Sequence, residues 1–237
     1  YARFGRAASF DGQDDRIVLS HTVLDGLTDF SAEFWVKTSD GTGVIVSGAN
    51  SEHDNECTAF ITGGNLHPHI KDANFKTSLT VADGEWHHVA IVRQGSTVKT
   101  YLDGGDPEIW DSAPTGAISI DPNGLWLGGD QDTVGGGWDA NQQFEGLLDE
   151  FVVYNRALDE EEVKAHYENG IVEISSKTAF NIGYYSDDGM DLFAVLNYES
   201  LEDGRWYQKV LKLPSNGMYI DGDDLFAYYW PVGTVLK

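Results

Sequence analysis

One cysteine, Cys57, stands in 237 residues, so no disulfide can close within this chain. That absence does not demand a reducing compartment, because a chain of this length can bury a core large enough to need no covalent staple. Cys57 lies in an apolar-alternating stretch and reads as a small core residue rather than a nucleophile. Basic residues are scarce: 15 Lys and Arg face 39 Asp and Glu, for a formal charge of −24. A field of that sign repels phosphate backbones and argues against nucleic acid as a partner. It attracts cations, although on its own it secures no more than solubility in a salty medium. No apolar run approaches the ~18 residues of a membrane span, which argues against membrane insertion. There is no Gly-x-Ser-x-Gly, P-loop or zinc-protease motif, no repeat of 20–50 residues and no low-complexity tract. The chain opens on Tyr1 with no basic n-region, and removal of a leader or anchor is compatible with that start.

What is present is β-pattern. The residues are 41% hydrophobic and 12% aromatic, the composition of a folded domain. "DFSAEFWVKT" (29–38) alternates Phe30, Ala32, Phe34 and Val36 against polar neighbours, Trp35 excepted. "EWHHVAIVRQGSTVKTYLDG" (85–104) reads as a hairpin with strands at 87–93 and 97–102 and a turn at Gln94–Gly95. "GLWLGG" (124–129) and "EGLLDEFVVYN" (145–155) read as further strands, and Asp-Gly or Gly-Gly turns recur between such segments. Many short strands so punctuated predict a sandwich or barrel. One helix is expected: Asp159 with Glu162 three residues on forms a capping-box start, Gly170 closes it, and Val163, His166 and Tyr167 share one face. After Gly170 the chain turns aromatic and strand-like. The expected division is residues 1–172 as the main β-domain and 173–237 as a small antiparallel β unit packed on it. The aromatics Tyr184, Tyr185, Trp206, Tyr207, Tyr219, Tyr228, Tyr229 and Trp230 would form that unit's core and its seam with the main domain.

Three stretches, "FGRAASFDGQDDRIVL" (4–19), "DGEWHHVAIVRQGSTVKTYLDG" (83–104) and "FEGLLDEFVVYNRALDEEEVKAHYENG" (144–170), together resemble a laminin-G-like module of the concanavalin A-like jelly-roll group. The resemblance spans about 170 residues and implies an all-β fold: two antiparallel sheets packed face to face, with one short helix. Within that group, "DQDTVGGGWDANQ" is similar to the second metal loop of pentraxins, with Gln142 ten residues after Asp132. "HDNEC" is similar to an earlier pentraxin loop that carries Asp-Asn-Glu. The resemblance implies Ca²⁺, with Asp54, Asn55, Asp130, the backbone carbonyl of Gln131, and Asp132 around a first ion. Asp130, Asp132, Asn141 and Gln142 fall where a second ion would sit.

Physical chemistry is consistent with that set. Ca²⁺ takes ~6–8 oxygens from carboxylates, amides and carbonyls, and an ion between Asp130 and Asp132 offsets their repulsion. The following glycines let the loop fold back to deliver Gln142. The departures count too. Asp130 stands where pentraxins carry the longer Glu, Asn141 stands where Glu is usual, the family disulfide is absent, and "WHHVAIV" replaces its His-x-Cys strand. A pentameric ring therefore does not follow.

Other residues stay open between two roles. Trp138, inside the metal loop, either stacks on a sugar face or cationic headgroup or anchors the loop. His53 adjoins the first loop and either contacts ligand there or is a solvated loop residue. His87 and His88 are adjacent on a strand, so one faces in and one out, as packing residues. His67 and His69 share a face but lack a third metal ligand. Asp149 and Glu150 suggest a glycosidase carboxylate pair, yet neighbours on a strand point to opposite faces. The expected protein is not an enzyme. It is a Ca²⁺-dependent adhesion module, secreted or on a cell surface, binding a glycan or polar headgroup through the ion. Neighbouring domains or subunits of a surface assembly are its other expected partners. The alternatives are an interaction module in which calcium only rigidifies loops, and a polysaccharide-cleaving enzyme.

Overall fold

A computed structural model describes residues 7–137, 140–169, 192–199 and 206–213, with Asn169 and the last two ranges by backbone alone. In chain order the strands are β1 (Ala8–Asp11), β2 (Ile17–Val18), β3 (Phe30–Lys37), β4 (Thr42–Gly48), β5 (Cys57–Thr62), β6 (Asn65–Ile70), β7 (Ala73–Asn74), β8 (Trp86–Gln94), β9 (Thr97–Leu102), β10 (Glu108–Trp110), β11 (Leu125–Leu127) and β12 (Glu145–Tyr154). A 3₁₀ turn, His21–Val23, follows β2, and helix α1 (Glu160–Asn169) follows β12. These elements make two antiparallel sheets of six strands, ordered β1-β12-β3-β8-β9-β10 and β2-β11-β4-β5-β6-β7. The architecture is the expected jelly-roll sandwich. The chain divides into two compact units after Glu168, and the second contains β13 (Leu192–Glu199) paired antiparallel with β14 (Trp206–Leu213). Most of the predicted aromatic cluster lies outside the described residues.

Alternation places Phe34, Val36, Ile45, Ile61, Leu66, Val89, Ile91 and Leu125 between the sheets, all buried. Cys57 joins them, and desolvation pushes its thiol up to about 12, as befits an inert core residue. The alternation of β3 does not, however, end in a solvated outer face. Ser31, Glu33 and Trp35 are buried as well, because α1 and the segment before it cover that side. Leu158 and Val163 pack on Ala90, Val92 and Tyr101. Trp35 stacks on Tyr167 at 5.8 Å, and His166 Nδ1 meets Glu33 Oε2 at 2.7 Å. The helix start is the reciprocal cap that the sequence predicts: Glu162 N–H donates to Asp159 Oδ1 (2.8 Å) and Asp159 N–H to Glu162 Oε2 (3.0 Å).

The histidine pair splits across β8. His88 is buried on the outer face beside Trp35, while His87 lies on the core side at the strand's end. His87 Nδ1 contacts Asp103 Oδ2 at 2.8 Å and its Nε2 contacts Asp83 Oδ1 at 3.0 Å. The hydrogen bond to Asp103, reinforced by Asp83, raises the His87 pKa to about 9, so the ring is an imidazolium at neutral pH. A raised folded pKa contributes stability that is complete below the ordinary value of 6.5 and is lost as pH climbs through about 9. His87→Gln is expected to cost about 1–2 kcal/mol at pH 6, screened by the half-exposed Asp83, and close to nothing at pH 10. Denaturant melts of both proteins at the two pH values measure the difference.

Candidate functional site

Residues 49–56 connect β4 to β5, whose pairing ends at Gly48 and Cys57. Asn50 organises the start of this loop. Its Oδ1 accepts from the Glu52 and His53 amides (2.8 and 2.9 Å), and its Nδ2 donates to the Ser119 carbonyl (2.8 Å). Further on, Asn55 Nδ2 donates to Asp54 Oδ1 at 2.9 Å, so the two predicted ligands are already hydrogen-bonded to each other. The Asn55 oxygen faces the hydroxyl of Thr58, at 3.5 Å. Glu56 is fully buried. Its Oε1 accepts from the Ser119 amide (2.9 Å) and lies 3.2 Å from Lys71 Nζ, while its Oε2 has no hydrogen-bond partner.

The second predicted loop follows β11, leads to β12 and is anchored to β4 at both ends. Gly128 N–H donates to Ile45 O (2.9 Å), and on the return Val44 N–H donates to Gln142 O (2.9 Å). Between these anchors the side chain of Gln131, only 1% exposed, reaches the second sheet. Its Nε2 approaches Ser47 O and Ser47 Oγ (both 3.2 Å) and Gly124 O (3.1 Å), and its Oε1 accepts from the Gly135 amide (2.9 Å). Gly135 and Gly137 adopt φ of 75° and 67°, where a Cβ is strained, and Thr133 and Gly136 exchange backbone bonds across the turn. Asp130 is buried and Asp132 exposed.

The loops are linked through the sheet. Cys57, Ala59 and Ile61 face the core, so Thr58 faces outward, and Ser47 is its cross-strand partner. A polar row therefore runs Asn55, Thr58, Ser47, Gln131 across the outer face of the second sheet. The return limb of this loop runs beside its outgoing limb: Phe144 N–H donates to Gly128 O (3.1 Å), and Gln142 O accepts from Val44 N–H. Among the described residues, the group of three acidic, His or Cys side chains whose ligating atoms gather within 4.8 Å is Asp11, Asp14 and Asp15, not Asp54, Asp130 and Asp132. That exposed trio serves its own turn, with Asp11 Oδ1 accepting from the Gln13 amide and Asp15 Oδ2 from the Asp11 amide. Trp138 lies outside the described residues, as does Asp139, a further carboxylate of the same loop that the spacing argument passed over.

His53 is half-buried, and its Nδ1 meets Asp72 Oδ2 at 2.5 Å; this hydrogen bond raises its pKa. His69 stacks beside Phe60, and burial lowers its pKa to about 4, leaving a neutral ring. Strand alternation fails at the suspected carboxylate pair. The β12–β3 register slips between Asp149 and Val152, and Glu150 takes φ 50°, so a bulge replaces the expected opposite-facing neighbours. Sequence reasoning placed Glu56 in the Asp-Asn-Glu loop but missed its burial, and it missed Lys71, Asp72 and the side-chain role of Gln131. Only the adjacency of Glu56 to Asp54–Asn55 could have signalled any of them.

The donor set suits a hard cation in kind: carboxylates, a carboxamide oxygen and loop carbonyls around one polar row. Thr58, Ser47 and Gln131 of that row are buried, so a hydroxyl-bearing ligand would reach the half-buried Asp54 and Asn55 and the exposed Asp132.

Comparison with known proteins agrees with this architecture. The family described as the concanavalin A-like lectin/glucanases superfamily matches residues 11–164. Neuronal pentraxin-2 of Cavia porcellus is 31% identical over 182 residues, covering 72% of this chain and 40% of that protein. The chain thus spans less than half the length of that relative. The native heptameric SAP-like pentraxin of Limulus polyphemus aligns with TM-score 0.57 and 21% identity, over 68% of this chain and 81% of that one. The Ruminococcus gnavus IT-sialidase CBM40, solved bound to α2,3-sialyllactose, aligns with TM-score 0.54 and 18% identity, over 68% and 96%. At those identities the two structures speak to the fold alone.

Gln131→Ala is expected to destabilise the protein by about 1–3 kcal/mol, because it removes the buried bonds to Ser47 and Gly124 O and leaves the Gly135 amide without its acceptor. Urea unfolding of the variant against wild type measures this, and an unchanged midpoint would remove Gln131 as the anchor of the loop.

Proposed function

Because this chain belongs to the concanavalin A-like lectin/glucanases superfamily, as a laminin-G/pentraxin-like module, we propose that it is a calcium-dependent binding module for a glycan or polar headgroup on an extracellular or cell-surface protein. The supporting observation is the polar row Asn55–Thr58–Ser47–Gln131, which ties the two candidate loops to one sheet face. Asp54, Asn55, Asp130, the Gln131 carbonyl and Asp132 would hold one ion. A second would be shared by Asp130 and Asp132 and completed by Asn141 and Gln142. Calcium supplies a positive centre that takes ligand oxygens in a protein whose own charge is −24. Asp132 is exposed and can rotate toward an ion at little cost, which is what bringing it together with Asp54 and Asp130 requires. Trp138 would flank the bound ligand. His53, engaged by Asp72, would border the site rather than take the ion. The affinity for Ca²⁺ would be in the ~10⁻⁴–10⁻³ M range of extracellular modules.

A second reading keeps calcium but gives it only a loop-stapling role, with neighbouring domains or subunits of a surface assembly as the partners. It draws on the burial of Ser47, Thr58 and Gln131, whose polar groups are engaged in holding the chain together. An enzymatic role lacks support, since Asp149 and Glu150 sit in a β-bulge and both already interact with other groups.

Calorimetric titration should give Ca²⁺ binding to wild type that Asp132→Ala abolishes or weakens at least tenfold; equal binding by the two would refute the site. On a glycan array that includes sialylated and neutral glycans, retention should vanish with EDTA. Calcium stabilisation without any retention would leave the stapling reading in its place.

A further inference from the structure

We propose that the β6–β7 turn, Lys71–Asp72, positions the first calcium loop and sets its affinity for the ion; this rests on the calcium reading above. Ile70 pairs with Ala73, so Lys71 and Asp72 form a two-residue hairpin loop, and both carry positive φ, 49° and 62°. That geometry favours Asn-Gly, and placing Lys and Asp there is strained. Residues that hold an unfavourable backbone shape usually do so for what their side chains reach.

Here the side chains and amides reach a single target, residues 53–56. The Lys71 amide donates to Glu56 O (2.9 Å) and the Asp72 amide to Asn55 O (3.0 Å). Asp72 Oδ1 accepts from the Asn55 amide (3.2 Å), and Asp72 Oδ2 holds His53 Nδ1 (2.5 Å). Lys71 Nζ sits 3.2 Å from the buried Glu56 carboxylate, which in turn holds the Ser119 amide. Five contacts from two residues thus immobilise the backbone on both sides of Asp54 and Asn55. A metal loop whose carbonyls and Cα positions are fixed beforehand loses less entropy on binding. Lys71 and Asp72 are positioning residues, and neither is placed among the ligands.

The decisive variant is K71N/D72G, which installs the turn's preferred residues and removes the Lys71 ammonium and the Asp72 carboxylate. Its melting temperature in EDTA should fall, because the buried Glu56 carboxylate loses Lys71. Titrated below that transition, Ca²⁺ affinity should fall about tenfold, the order expected for losing hydrogen bonds to a charged acceptor. Asp72→Asn, which keeps an acceptor for the Asn55 amide, should recover part of that loss. Amide hydrogen exchange of Asn55 and Glu56 in calcium-free protein supplies a readout independent of the ion, and it should accelerate in K71N/D72G. Wild-type Ca²⁺ affinity in K71N/D72G, or unchanged exchange at Asn55 and Glu56, overturns the inference while the calcium reading stands. Failure of wild type itself to bind Ca²⁺ overturns the calcium reading and the affinity role with it, leaving exchange to report only the mechanical clamp.

Discussion

Strand β4 is bonded along both edges, to β11 through Leu125–Leu127 and to β5 through Cys57–Thr62, and its outer face also receives the loop that follows β11. The Gln131 carboxamide is the contact that makes this arrangement possible. A loop rich in glycine has a large conformational entropy to lose, and one buried amide that bonds to Ser47, Gly124 and Gly135 together fixes its middle. Remove that contact and Asp130 and Asp132 have no defined position relative to Asn55. The polar row then loses its link between Ser47 and the loop. The site is thus a consequence of strand pairing: Ser47 faces Gln131 because its neighbour Val46 faces the core, after the register irregularity between Val44 and Val46.

Burial of charge follows the same economy of partners. Glu33, Glu56, Asp130 and Arg93 are all buried in a protein that carries a large excess of acid. Glu33 meets His166, Glu56 meets Lys71 and the Ser119 amide, and the Arg93 Nη2 donates to the Pro114 and Gly116 carbonyls at 2.9 and 2.8 Å. Each pair joins segments distant in sequence: α1 to β3, a sheet turn to the candidate loop, β8 to the 114–116 loop. A buried charge left without its partner costs several kcal/mol, so these contacts specify which segments meet even where their net stabilisation is small.

Much of the fold was legible because it is written in local periodicity. The β8–β9 hairpin, β11, β12 and the Asp159–Glu162 cap of α1 fall where alternation and capping residues predict them. The buried outer face of β3 was not legible, because Ser31 and Glu33 are polar and only the later helix, more than 125 residues on, covers them. The bulge at Asp149 hides for a similar reason: no glycine marks Glu150 at φ 50°. In the candidate site the ligand types were readable from the two loop motifs, but what holds them was not. Gln131 reads as a generic loop residue until Ser47 is seen beneath it. Lys71 and Asp72 occupy a turn whose usual Asn-Gly signature they lack.

That same scaffolding bears on what an ion would be for. A metal that staples loops contributes most where the loops are otherwise unconstrained, since the binding energy then offsets chain entropy. Here both candidate loops are already hydrogen-bonded at their anchors, through Asn50 and Asp72 on one side and through Gln131 and the Val44–Gln142 backbone bond on the other. The ion has little folding left to do. What an ion would add is positive charge at the loop carboxylates of a strongly acidic protein, where an anionic ligand would otherwise meet repulsion. Preorganised loops in a strongly acidic protein thus fit the proposal of an ion that bridges to a ligand better than one that only fastens the chain.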